Sequence, residues 1–189
     1  MKKTLTGFVL LQLLFGVNTQ AGEISQASIE YSTGIYTINF DAVVNAPQKK
    51  VYSLLTDYGH LSRINDNITE STLLVASDAS TEKFRLLIHA CILFFCRETI
   101  MVENVSDNSK DEITATIDPN ESDFKSGMST WKILPVDEEH TSIMLYQKLE
   151  PDFWYPPVIG PWLIKKKIIK ELSIMLNRLE QLAIDQHSY

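Results

Sequence analysis

Between residues 35 and 45 apolar side chains fall on alternate positions, Tyr36, Ile38, Phe40, Ala42 and Val44. That period of two is the mark of a strand with one buried face. The run stops at Asn45-Ala46-Pro47. Proline is pre-set for a first helical turn and asparagine can cap one, so a helix is expected to open here. Its stripe is Val51, Leu54, Leu55 and Tyr58, and Gly59 ends it. A short helix or turn covers residues 60–66. Strand patterns then return at residues 68–76, 83–91, 97–105, 112–118, 127–134 and 141–149. Turn-forming clusters separate them, among them Ser77-Asp78, Ser106-Asp107-Asn108-Ser109, Pro119-Asn120-Glu121-Ser122 and Asp137-Glu138-Glu139. After a stretch rich in proline and aromatics, residues 161–185 show one long helical stripe of Trp162, Ile168, Ile169, Leu172, Met175, Leu176, Leu179, Leu182 and Ala183.

This order predicts an α+β domain over residues 35–186, with residues 22–34 as a lead-in. Strands joined by short turns favour a curved antiparallel sheet of about seven strands, and the C-terminal helix must bury its stripe against it. A sheet wrapped around one long helix tends to leave a concave apolar space between them, the kind of place where small molecules bind.

At 189 residues, with 44% hydrophobic and 22% charged, the chain suits one domain. No repeat or linker divides it. Its 17 basic against 24 acidic residues give a net charge of -7, which argues against a nucleic-acid partner. The N-terminus changes the picture further. Lys2 and Lys3 precede an apolar run from Leu5 to Val17, and Asn18-Thr19-Gln20-Ala21 follows. This is the layout of a signal peptide over residues 1–21, cut after Ala21, and the run is shorter than the roughly 20 residues of a membrane span. Cleavage would remove two lysines and no acid, leaving 15 basic and 24 acidic residues, or -9. The expected address is the periplasm. In that oxidising compartment Cys91 and Cys96, with the four residues Ile92-Leu93-Phe94-Phe95 between them, are expected to form a disulfide at a hairpin tip. A metal or redox role is the weaker alternative, with only His89 nearby.

Candidate chemistry is sparse. His140 lies in an acidic turn, His187 in the tail, and His60 just after a helix end where a cation favours the dipole. His89 alternates with Arg85 on one strand face. If that face is outside, both are solvated; if it faces the cavity, they would bind a polar head group. No Ser-His-acid order, phosphate loop or His-x-x-x-His pair is present, so no catalytic residue, metal or cofactor is implied. Alternation selects Phe40, Ile88, Ile100, Val102, Ile113, Ala115, Trp131 and Ile133 as candidate ligand contacts on the strands. Leu172, Met175, Leu176 and Leu179 join them from the helix. Taken one at a time, each fits plain core better than a ligand contact. Glu98 shares the parity of Ile100 and Val102 and is a candidate polar anchor or a strand-end residue.

The segment Val44-Asn45-Ala46-Pro47-Gln48-Lys49-Lys50-Val51-Tyr52-Ser53-Leu54-Leu55-Thr56-Asp57-Tyr58 resembles the strand-into-helix signature of the START-like superfamily, which includes polyketide cyclases and coenzyme-Q-binding proteins. Ser122-Asp123-Phe124 with Trp131, and Pro151-Asp152-Phe153-Trp154, resemble an exported bacterial branch of it. The resemblance spans about residues 35–185. It implies a helix-grip fold and a binder or carrier of lipids or other apolar molecules, such as a quinone-like ligand, sometimes turned into an enzyme. The alternatives are a cyclase- or hydrolase-like enzyme using the same cavity, or an interaction module whose cavity is filled. Finally, Trp154, Tyr155 and Trp162 precede or adjoin Lys165, Lys166 and Lys167. Aromatics beside lysines suit a transient membrane contact, or else the aromatics plug the sheet end and the lysines are solvated.

Overall fold

A computed structural model describes residues 22–74, 81–109, 111–154 and 160–185. Their strands are β1 (Glu23–Ser32), β2 (Ile35–Val44), β3 (Ile68–Leu74), β4 (Glu82–Ile92), β5 (Phe95–Ser109), β6 (Glu112–Ile117), β7 (Phe124–Pro135) and β8 (Thr141–Pro151). Two helices, α1 (Gln48–Leu55) and α2 (Pro161–Asp185), and a 3-10 turn at Leu61–Arg63 complete the described elements. The strands form one antiparallel sheet in the order β1-β2-β8-β7-β6-β5-β4-β3. The sheet holds α2 in its concave face. This is the helix-grip arrangement.

The sheet has eight strands rather than about seven, because residues 23–32 are a strand and not a lead-in. A bulge between Ile24 and Gln26 hides it from a period-two reading. It adds a residue, so Ile24 and Ala27 both reach the inner face, opposite Ala42 and Phe40 of β2, although they stand three apart. Ile29 and Tyr31 continue that face against Ile38 and Tyr36.

Packing is dense at one end of the domain. Phe40, Val44, Val51, Ile133, Ile143 and Leu179 are essentially inaccessible, and Leu176 and Ala183 close over them. Burying each large side chain here stabilises by roughly 1.5–3 kcal/mol. The helix ends are fastened to this block. Asn45 does not cap α1 as expected: Pro47 flanks the helix and no side chain caps it. The Asn45 backbone N–H instead donates to the buried Glu180 carboxylate of α2 at 2.8 Å. Lys50 donates to the Ala183 carbonyl at 2.9 Å, where the last turn of α2 has carbonyls without helical partners. Gly22 lies so close to Glu180 that a side chain there would meet Oε1 at 2.6 Å.

At the other end α2 parts from the sheet. Ile168 and Leu172 are only partly buried, and Trp162 and Ile169 of the expected stripe are exposed. Across the concave floor, Gly127 stands opposite Ile117 and Leu149. A Cβ there would sit 2.4 Å from Ile117 Cδ1, so glycine lets neighbouring side chains fold across the strand.

Candidate functional site

Where α2 and the sheet separate, they enclose a cavity of about 370 Å³. That lies within the usual size of a small-molecule pocket. Its walls are apolar: Phe84, Leu86 and Ile88 from β4, Met101 and Val105 from β5, Ile113 and Ala115 from β6, with Trp131, Leu145, Leu172 and Met175 around them. A second chamber of about 220 Å³ adjoins it, sharing Ala90, Phe124, Leu149 and Ile168, and runs toward the β4–β5 hairpin. The segment after the 3-10 turn covers the first chamber and is latched to α2. Arg178 donates to both Asp66 oxygens at 2.7 and 2.8 Å. Asn67 bonds Glu171, which pairs with Lys167 at 2.6 Å.

Three polar side chains interrupt the apolar floor. Glu103 of β5 is 7% exposed, Ser129 of β7 is buried, and Gln147 of β8 lies directly across from Ser129. No cation or donor meets the Glu103 carboxyl among the described residues. Burial alone therefore raises its pKa from 4.5 to about 7, because low-dielectric surroundings disfavour the charged form. Sequence reading missed this group. Its inward position follows from Met101 and Val105 flanking it at alternate positions, a weak signal in a strand whose other face is also apolar.

Six of the twelve expected contacts border the cavity: Ile88, Ile113, Ala115, Trp131, Leu172 and Met175. Phe40, Ile133, Leu176 and Leu179 belong to the close-packed end instead. Ile100 and Val102 point out of the opposite face of β5. Residues 118–123 run along β5 beyond the end of β6, and the two segments exchange hydrogen bonds. Ile100 N–H donates to Asp123 Oδ2 at 2.7 Å, Val102 N–H to Ser122 Oγ at 2.8 Å, and Asp118 N–H to the Val102 carbonyl at 2.9 Å. That cover buries Val102 outside the main core. Glu98 and His89 face each other on the same outer side, both exposed, and Arg85 pairs there with Glu70. His60 bonds Asp57 and His140 bonds Asp137, each at 2.7 Å on the surface. His187 and Tyr155 lie outside the described residues.

Cys91 and Cys96 are bonded directly across the β4–β5 hairpin. His89 lies near them, but the disulfide removes the thiols from any metal site. Between them Leu93 adopts a φ of 56°, an uncommon conformation for a bulky residue, and Leu93 and Phe94 are 65% and 79% exposed. Trp154 and Trp162 are 70% and 68% exposed. Phe153 turns inward onto Phe124 and under the Arg97 guanidinium, 4.5 Å above its ring, so this aromatic does plug the sheet end. Lys166 lies 5.5 Å over the Trp162 ring. Lys167 differs from the expected surface lysine: it is paired to Glu171 and borders both chambers. Among the described residues no helix is long and apolar enough to cross a membrane.

Over residues 44–171, more than half of its length, the sequence matches the family described as polyketide cyclase / dehydrase and lipid transport. The chain belongs to this family. No curated protein matches it. Solved structures share the START-like fold of the family. A START superfamily protein from Mycobacterium smegmatis superposes with a TM-score of 0.63 at 18% identity, covering 79% of this chain and 98% of its own. The ZhuI aromatase/cyclase from Streptomyces sp. R1128 gives 0.61 at 14% identity, covering 79% and 93%. Human STARD10 gives 0.58 at 12% identity, covering 81% and 72%. At these identities the likeness concerns the fold. A fold of this family with an apolar interior space is suited to a hydrophobic ligand.

Proposed function

We propose that the protein is an exported, periplasmic carrier that holds a lipid or quinone-like molecule between sheet and α2. The observation that carries this reading is the pair of adjoining apolar chambers, which a protein needing only stability would close. The signal layout of residues 1–21 and the disulfide suit export. Mass spectrometry of protein recovered from an exporting host tests it. Under native conditions a bound apolar molecule of defined mass is expected, and the denatured chain should begin at Gly22 with no free thiol. An empty protein that takes up no apolar probe would overturn the carrier reading, and a chain beginning at Met1 would overturn export.

The ligand is collected, on this reading, at a membrane surface. Leu93 and Phe94 at the hairpin tip fall between Ile92 and Phe95, and Trp154 follows Phe153, all three of which line the second chamber; with Trp162 they expose more apolar surface than a water-facing tip requires. Lys165 and Lys166 beside Trp162 supply charge for anionic head groups, although the acidic remainder keeps the contact transient. Paired Leu93→Ser and Phe94→Ser substitutions are expected to cut partitioning onto phosphatidylglycerol-containing vesicles by at least about tenfold, since each removes a large apolar side chain. Cosedimentation measures this. Equal partitioning by parent and variant would sink the membrane contact and leave the carrier standing.

One observation favours a second reading. A carboxyl titrating near neutrality in a cavity is a usual general acid or base. The charged side chains that share its cavity, Lys167 and Glu171, are paired with each other, so binding is the better-supported role.

A further inference from the structure

The side chains of Glu103, Ser129 and Gln147 have no hydrogen-bond partner among the described residues, yet all three border the cavity. Their positions follow from the register. Ser129 pairs with Gln147 across β7 and β8, and with Ala115 of β6, which in turn pairs with Val105 of β5. Glu103 lies on the same face, two residues from Val105. The carboxyl therefore stands two strands and two residues from the Ser129 hydroxyl, roughly 12 Å along the sheet at ordinary strand spacings. The floor thus carries a polar point at each side of an apolar middle.

We propose that the cavity selects an apolar molecule bearing two neutral oxygen functions at opposite ends, one bonded by Glu103 and the other by Ser129 and Gln147. A plain hydrocarbon would bury three polar groups without partners, and buried polar groups are costly unless bonded. Each of the three can both donate and accept toward a hydroxyl or carbonyl oxygen, the carboxyl doing so in its neutral form. Near neutrality a large share of Glu103 holds its proton, which fits a neutral partner. The inference rests on the reading of this cavity as a ligand site.

Three biphenyl probes test it on the full chain: biphenyl itself, a form with one para hydroxyl, and a form with a para hydroxyl on each ring. Each is titrated by displacement of an apolar fluorophore. The parent is expected to gain affinity with each hydroxyl, after correction for transfer from water. Glu103→Leu should weaken the dihydroxy probe by about tenfold, the worth of one hydrogen bond, and leave biphenyl unchanged or tighter. Ser129→Ala should lower the dihydroxy probe in the same way, and Glu103→Gln, which keeps donor and acceptor, should retain most of its affinity. Thermal unfolding of each variant confirms that it folds. Equal losses for biphenyl and its dihydroxy form would overturn the anchors, because only cavity shape would then matter. So would tighter binding of a biphenyl amine than of the alcohols. If no probe binds the parent, the carrier reading itself fails.

Discussion

Between about pH 5 and pH 8 the folded protein is expected to lose on the order of 3 kcal/mol of stability, and Glu103→Gln should abolish most of that loss. The cause is burial of the Glu103 carboxyl, which lifts its pKa from 4.5 to about 7. The charged groups that border the same cavity, Lys167 and Glu171, satisfy each other at 2.6 Å and leave Glu103 uncompensated. A raised folded pKa means the folded state holds the proton longer than the unfolded chain. Below the unfolded value both states are protonated and the group is neutral in effect. Above about pH 7 both are ionised, and the folded state carries the whole desolvation penalty. Stability therefore falls as pH rises through this window. Asp118, held low by Lys83, and Asp137, held low chiefly by the Glu139 N–H, act in the opposite sense. Their contributions are lost only as pH falls through the ordinary carboxylate range and below, outside most of this window. Urea unfolding at several pH values, in parent and variant, reads the effect. A parent with flat stability from pH 5 to 8 would show that water reaches the carboxyl.

Glu103 also marks where sequence reading reached its limit. Elements with one clean period were legible: β2 buries every second residue, and α2 spans residues 161–185 as its stripe required. The β5 face was misread for a physical reason. Its inward side carries Arg97, Thr99 and Glu103 among Met101 and Val105, while its outward side shows Ile100 and Val102. An apolar face ordinarily points to the core, but here residues 118–123 cover the outer side with their own hydrogen bonds, and the polar residues turn toward a cavity. Nothing in the local pattern of β5 announces a segment that crosses it from twenty residues away. The division between core and cavity was equally out of reach. Phe40 and Leu179 repeat the same periods as Trp131 and Leu172, and only the divergence of α2 from the sheet makes the second pair line a space.

That divergence sets up the second large effect. Phe40→Ala is expected to cost about 3–5 kcal/mol, whereas Met175→Trp should cost little and yet abolish binding of an apolar probe. Phe40 is fully buried in the close-packed end, so truncation leaves a hole that rigid neighbours, Ala27 across β1 and Leu145 across β8, can only partly refill. Met175 is almost as hidden, at 7% exposed, but it borders the 370 Å³ cavity with Leu172 one helical turn away. A larger ring at that position can rotate into empty space and fill the ligand's place. In a close-packed core the same enlargement would force neighbours off their rotamers at about 1–3 kcal/mol. For a domain of this size each 1 kcal/mol moves the melting temperature by roughly 2–4 °C, so Phe40→Ala should melt about 10 °C or more below the parent. Calorimetry and probe fluorescence on the two variants separate a filled space from a damaged core. If Met175→Trp melted as early as Phe40→Ala and the parent bound no probe, α2 would be packed against the sheet along its whole length, and there would be no chamber for a ligand to enter.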